Sequence, residues 1–271
     1  MRDATFGQYY PSNSVVHKID PRLKILMVIA YITMVFEVPN FWGFLVVSVF
    51  VLFATIISRV PIGSVLRSVR PIMYLIIFTS VITVIFYTDK TSVPDWIWWK
   101  FNFYKKSIYN AAFMACRLLL LVLGPSILTL TTTPVQLTDG LEWLFAPLKL
   151  VKFPVHTMVL IMSIALRFIP TLMEETDKII NAQKARCANF DSKNIFKKAK
   201  AMLPVLIPLF VSSFKRADQL AEALDSRCYN GAKGRTRMKK LQFGIIDLMG
   251  ALFFVVFFLS ILILKYQWIF F

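Results

Sequence analysis

Three cysteines, two histidines and 15 acidic residues against 31 basic ones leave this 271-residue chain short of the groups from which most catalytic and metal sites are built. Cys116, Cys187 and Cys228 show no CxxC spacing, so neither a disulfide framework nor a zinc site is indicated, and they read as small residues. His17 and His156 have no HxxxH or HExxH context, which argues against a metal site and against proteolysis. No metal or other cofactor is expected. The pattern GxxxxGK[ST] does not occur, so the chain is not expected to hydrolyse ATP itself. Its first residues, MRDATFGQYYPSNSVVHKIDPRLK, lack the charged-then-apolar pattern of a cleaved signal peptide, and the first apolar run is expected to be retained.

What the chain has in excess is apolar surface. With 57% hydrophobic residues, 15% aromatics and a mean hydropathy of +0.64, it carries more than one soluble core can bury, so a bilayer must act as solvent. The formal charge of +16 resides almost entirely between or beside the apolar runs. That placement marks the cytoplasmic side of a membrane protein, whereas a nucleic-acid partner would require a soluble basic surface and is not expected.

Apolar runs at Ile25–Val38, Phe41–Ile57, Ile72–Tyr87, Ile108–Leu130 and Phe243–Leu264 predict five spans. The first three fall short of the ~20 residues that cross a ~30 Å hydrocarbon core and must borrow flanking residues or sit where the bilayer thins. Pro39 and Asn40 mark a tight turn between the first two. Lys18, Arg22 and Lys24 precede span one, Arg59, Arg67 and Arg70 follow span two, and Lys233, Arg235, Arg237, Lys239 and Lys240 precede span five. All fall on one side of a multi-pass cell-membrane protein whose N-terminus is cytoplasmic. Residues 88–107 are then external, and Trp96, Trp98, Trp99, Phe101, Phe103 and Tyr104 suit an interfacial belt. The predicted class is an all-α integral membrane protein in three parts: 1–130 with four spans, 131–240 as a cytoplasmic coupling module with two long helices, and 241–271 as a C-terminal span.

Within the module, Val155–Ala188 reads as one helix, apolar in its first half and amphipathic in its second. Ile169, Leu172, Met173, Thr176, Ile179, Ile180 and Gln183 form its stripe, and Glu174 and Lys178 an i,i+4 pair on the other face. Ser192 is the predicted N-cap of a second helix. Its stripe is Leu203, Leu206, Ile207, Phe210, Phe214, Ala217, Leu220, Ala221 and Leu224, opposite Lys215, Arg216, Asp218, Gln219, Glu222 and Asp225. Pro170, Pro204 and Pro208 should kink the two helices, which bury their stripes best against each other.

Each helix ends in a related tripeptide, Ala185-Arg186-Cys187 and Ser226-Arg227-Cys228, with the arginines 41 residues apart. One arginine at a helix C-terminus is an ordinary complement to the macrodipole. Two in the matching contexts AQKARC and AEALDSRCYNG point to a duplicated docking device, since a planar guanidinium bonds carboxylates or carbonyls in a groove bidentately.

These residues resemble the signature of the T component of energy-coupling factor transporters, two Ala-Arg-Gly-like motifs ending two cytoplasmic coupling helices. HKIDPRLK at 17–24, LTTTPVQLTDGLEWLFAPLK at 130–149 and LRFIPTLMEETDKIINAQKAR at 166–186 extend the resemblance over most of the chain. Cysteine stands where the family usually has glycine, and serine replaces the second alanine. The resemblance implies a membrane scaffold for uptake of vitamins or similar micronutrients, with a pair of ABC-type ATPase subunits and a substrate-binding S component as partners. It implies that Arg186 and Arg227 each enter a groove on one ATPase subunit. The apolar surface around Leu160, Ile164 and Phe168 and around Leu203, Ile207, Phe210 and Phe214 would receive the S component.

Arg117 near the middle of span four and Asp247 early in span five are intramembrane charges. A structural role is expected over transport, with Asp247 reaching the inner interface and Arg117 facing protein, toward Asp247 or a partner. Arg167, beside Phe168 and Pro170, is expected to bond carbonyls at the kink. An intramembrane enzyme would need convergent acidic, histidine or serine groups at bilayer depth, and the spans offer only Arg117 and Asp247. A self-sufficient secondary transporter would show inverted repeats and broken midplane helices, and neither is evident.

Overall fold

The computed structural model describes residues 9–86, 96–98, 101–103, 105–151, 153–188, 190, 194–231 and 243–270. The chain divides into two compact units, one of residues 7–144 with 241–271 and one of residues 145–240 with the first six. Among the described residues the first unit holds α1 (Val15–Lys18), α2 (Pro21–Glu37), α3 (Phe41–Ser58), α4 (Ile62–Phe86), a two-stranded antiparallel hairpin of β1 (Trp96–Trp98) and β2 (Phe101–Phe103), α5 (Lys105–Thr131), α6 (Pro134–Leu144) and α9 (Ile245–Phe270). The second holds a 3-10 turn at Ala146–Val151, α7 (Val155–Ala185) and α8 (Ile195–Asp225). The architecture is all-helical apart from that hairpin. The expected aromatic belt and the basic run before α9 lie outside the described side chains.

Local sequence explains the helix ends. Asp20 accepts the Arg22 N–H at 2.9 Å, and Pro21 occupies the first helical position of α2, where its missing donor costs nothing. α3 stops at Arg59, whose φ of 53° lies in the left-handed region. Thr133 and Gln136 form a capping box at the start of α6, with backbone-to-side-chain distances of 3.1 and 3.3 Å in the two directions. α4 begins ten residues ahead of the predicted span and runs through Pro71, so the borrowed flank brings it to 25 residues.

Among the described residues five helices are long and apolar enough to cross a membrane: α3, α4, α5, α7 and α9. This set differs from the predicted spans. α2, with 17 residues, is one residue shorter than α3 and is not among them, while α7 is, through its apolar first half. α2 nevertheless supplies the centre of the first unit, where Tyr31, Met34, Val35 and Val38 are buried with Phe44, Val47, Leu120, Phe254, Phe257 and Ile261. Phe50 and Phe257 stack at 3.9 Å between α3 and α9.

Tyr31 of α2 packs directly on Gly124 of α5. A Cβ there would lie 2.2 Å from Tyr31 Cε1, and the Tyr31 hydroxyl donates to the Leu120 carbonyl at 2.8 Å, so the ring cannot swing away without leaving a buried hydroxyl unpaired. Gly124→Ala is therefore expected to lower stability by ~1–3 kcal/mol through overpacking. Gly63, where a Cβ would meet nothing within 4 Å, is the control, and Gly63→Ala should leave the unfolding temperature equal or higher. Thermal unfolding of the two variants in detergent checks the pair.

The ends of this unit can be read from its polar contacts. At one end Ser12 donates to the Ser58 carbonyl at 3.0 Å, the Lys24 ammonium donates to the Thr131 carbonyl at 3.1 Å and the Thr132 hydroxyl at 3.2 Å, and the Asp20 N–H donates to Asp247 at 2.7 Å. The starts of α2 and α9 and the ends of α3 and α5 thus meet. At the other end Glu37 pairs with Lys265, and Phe41 packs edge-on against Tyr109. Successive helices therefore alternate in direction, with α9 parallel to α2. His17 belongs to the first end. Its Nε2–H donates to the Tyr10 carbonyl at 3.0 Å, leaving Nδ1 to accept from Ser14 at 2.7 Å. Burial pulls the His17 pKa below the ordinary imidazole value against the Tyr10 bond, with Lys24 adding to the effect of burial.

The two intramembrane charges do not pair with each other. Asp247 is buried and accepts from two backbone donors, Asp20 N–H and Gly244 N–H, each at 2.7 Å. It sits in the first turn of α9, so the second bond is a capping contact. Arg117 instead donates to the Val38 carbonyl at 3.1 Å and lies 4.9 Å from the Phe113 ring centroid and 5.9 Å from that of Phe44. Its Nε is buried without a partner.

Candidate functional site

α7 and α8 are each 31 residues long, ~46 Å, and pack against each other in the second unit. The N-cap of α8 is Asn194, whose side chain accepts from the Phe196 N–H at 3.0 Å; Ser192, expected in that role, lies outside the described residues. The packing between the helices differs from the expected one on the α8 side. Leu203, Ile207, Phe210 and Phe214 are exposed, 52% to 69%, while Val205 is 2% exposed and Met202, Leu209, Ser212, Arg216 and Leu220 are half-buried. The inward face of α8 is thus rotated from the predicted stripe. On α7 the expected stripe is half-buried from Ile169 to Gln183, except Met173, which is exposed. Leu160, Ile164 and Phe168 are half-buried.

One carboxylate joins the two helices. Glu175 of α7 accepts from the Arg216 guanidinium at 2.9 Å and from the Ser212 hydroxyl. Sequence reasoning assigned Glu174 to the outer face and Arg216 to water and passed over Glu175. Glu175 and Arg216 are themselves 41 residues apart, the interval of the two terminal arginines, and that coincidence was the available signal. Arg167 is exposed, and none of the described hydrogen bonds engages it, so the expected carbonyl bonds near Pro170 are not made.

The two helices end identically. At α7 the Cys187 N–H donates to the Lys184 carbonyl and the Ala188 N–H to the Gln183 carbonyl, both at 3.0 Å. At α8 the Cys228 N–H donates to the Asp225 carbonyl at 2.9 Å and the Tyr229 N–H to the Leu224 carbonyl at 3.0 Å. Each is a Schellman turn, with the cysteine in the left-handed position at φ 64° and 54°. The helix that was expected to run to Ala188 is therefore closed at Ala185, because the Ala188 N–H is turned back onto Gln183. Cysteine in place of glycine leaves the tight ending intact, at the cost of a Cβ in a conformation that glycine adopts freely. Cys187→Gly and Cys228→Gly should each stabilise the second unit by ~0.5–1 kcal/mol, while alanine at the same positions should give no gain. Unfolding temperatures of the four variants decide this.

Each turn presents its arginine at the tip. Arg186 and Arg227 are exposed, as are Ala185, Cys187, Ser226 and Cys228, and no described hydrogen bond or ion pair engages either guanidinium. The sites therefore consist of rigid helix ends that offer five-donor forks to whatever binds them. Among the described residues no group of three or more histidine, cysteine or acidic side chains is placed to hold a metal.

A helical bundle with membrane-crossing elements, joined in sequence to two helices with matched arginine tips, defines a multi-pass membrane protein. Residues 12–238 match the CbiQ family model, described as cobalt transport protein. The chain is 45% identical over 266 residues to the energy-coupling factor transporter transmembrane protein EcfT of Ruminiclostridium cellulolyticum, covering 98% of both chains. It is 46% identical over 252 residues to the EcfT of Clostridium kluyveri, covering 93% of both, and 42% identical over 242 residues to that of Lactococcus lactis subsp. cremoris, covering 89% and 90%. The chain belongs to this family and is the transmembrane component of an energy-coupling factor transporter.

Proposed function

We propose that the chain couples ATP hydrolysis by a pair of ABC-type ATPase subunits to movement of a substrate-binding S component, and performs no catalysis itself. The observation that carries this reading is the pair of identical helix ends, each with an exposed arginine one residue ahead of its left-handed cysteine. Two equivalent tips suit two equivalent receptor grooves. The exposed apolar row Leu203, Ile207, Phe210 and Phe214 supports the second half of the reading, since it offers a greasy surface on which a membrane partner could rest and tilt. The end of the first unit where α2 starts and α3 stops carries Lys18, Arg22, Lys24 and Arg59, which supports a cytoplasmic N-terminus.

The cargo in this reading is a vitamin or similar micronutrient, selected by the S component. The test is reconstitution of the chain in liposomes with both ATPase subunits and an S component, followed by ATP-dependent uptake of a labelled vitamin. Uptake of labelled Co²⁺ in the same vesicles would move the cargo to the one named in the family description. Failure of the chain to purify with ATPase subunits would remove the scaffold reading.

A further inference from the structure

Glu175, Ser212 and Arg216 stand out because of where they cross. Glu175 lies 11 residues before Arg186, and Arg216 lies 11 residues before Arg227. The bond between α7 and α8 therefore joins equivalent positions of the two helices and leaves each arginine on an arm of the same length, ~16 Å. The same 41-residue interval relates Gln183 to Leu224, the acceptors that close the two Schellman turns, so the match holds from the crossing to the tips.

The contact is poorly suited to a purely stabilising role. The side chains remain 34% and 23% exposed, and ion pairs so accessible contribute little to folding. Arg216 also brings its Nε into a buried position without a partner. Nearby hydroxyls do not share the work: Thr176 donates to the Leu172 carbonyl and Ser213 to the Leu209 carbonyl, each within its own helix. With Leu203, Ile207, Phe210 and Phe214 exposed, Glu175 adds to the apolar contacts of the crossing bonds that have a direction, which apolar packing lacks.

We infer that Glu175, with Ser212 and Arg216, is the fulcrum that fixes the register of the two helices, so that a displacement of one arginine tip becomes a defined displacement of the other. These are positioning residues, and the inference rests on the proposed docking of the tips. Without the fulcrum the helices still dock, but their motions are no longer matched, and ATP is spent without transport.

The test uses Glu175→Ala, Arg216→Ala and the exchanged pair Glu175→Arg with Arg216→Glu. In liposomes holding the ATPase pair and an S component, the single variants should retain their ATPase subunits while ATP hydrolysed per substrate carried rises at least ~5-fold, the lower bound for a lost coupling interaction. The exchanged pair should return toward the wild-type ratio, as a double-mutant cycle requires of a direct contact. A second readout needs no partner. Cys187 and Cys228 are exposed thiols at the two tips, so spin labels placed there in a Cys116→Ser background report the tip-to-tip distance in nanodiscs. That distribution should broaden in each single variant and narrow again in the exchanged pair. Wild-type coupling ratios with unchanged distances in both single variants would overturn the fulcrum, and so would lost transport with unchanged distances. If Arg186 and Arg227 prove dispensable for ATPase association, the docking reading fails instead, and the label distances still decide whether Glu175 sets the register.

Discussion

Glutamate at both Arg186 and Arg227 is expected to strip the ATPase subunits from the purified complex and to abolish ATP-dependent uptake. Each guanidinium is exposed at the tip of a closed helix end, with no described bond to give up before it binds. In a partner's groove it would make charge-assisted, bidentate bonds, and truncating one side of such a contact costs ~2–5 kcal/mol, about 30-fold or more in affinity. If both tips dock as proposed they form one bivalent ligand, so a single Arg→Ala variant keeps one anchor and should lose affinity without losing the complex. The double variant has no anchor, and glutamate adds repulsion wherever the groove is acidic. Lysine at both positions keeps the charge but not the fork and should fall between these extremes. Quantitative co-purification followed by ATPase assay measures all of them. Wild-type stoichiometry in the double glutamate variant would end the docking idea.

The largest effect on stability is expected at Asp247. Its carboxylate is buried, accepts two backbone N–H groups at 2.7 Å, and acts electrostatically on the buried Lys24 ammonium. Alanine there would leave two donors unsatisfied, a loss of ~2–5 kcal/mol, while the Asp20 carboxylate still acts on Lys24. Asparagine keeps one carbonyl acceptor but no charge, and about half that loss is expected. Arg117→Ala gives up one carbonyl bond and two ring contacts in a half-buried setting and should cost less, ~1–2 kcal/mol. Thermal unfolding in a single detergent ranks the three variants. An Asp247→Ala protein that unfolds at the wild-type temperature would show that the contact is dispensable.

The contrast between those two residues shows where sequence reasoning reaches and where it stops. Both charges are conspicuous in apolar runs, and an aspartate and an arginine invite pairing with each other. Their actual partners are backbone groups of Asp20, Gly244 and Val38, which every residue possesses and no side-chain pattern marks. The spans were legible because hydropathy is a property of composition. The exceptions are α2, whose length of 17 residues is marginal and whose burial among neighbours no local window shows, and α7, whose apolar first half is long enough to cross although its charged second half marked it as no simple span.

The helix ends were legible too, since the repeated Arg-Cys contexts follow capping chemistry that is local in sequence. The facing of α8 was not. Its first half is apolar on more than one side, with Val205 and Leu209 as greasy as Leu203 and Phe210, so periodicity alone leaves the rotation open. The facing observed includes a polar pair, Arg216 reaching Glu175, and neither residue differs by type from its charged neighbours.

The bond from Asp20 to Asp247 also sets an order of events during synthesis. The Asp20 N–H and the Gly244–Asp247 turn are separated by more than two hundred residues of chain, so the start of the first long helix stays incomplete until the last helix has left the ribosome. Until then the Asp20 N–H must find water instead, while Lys24 already has Thr131 and Thr132 to bond. A chain that stops short of α9 would therefore be more than one helix poorer: it would also lack the acceptor for a backbone donor at the start of α2.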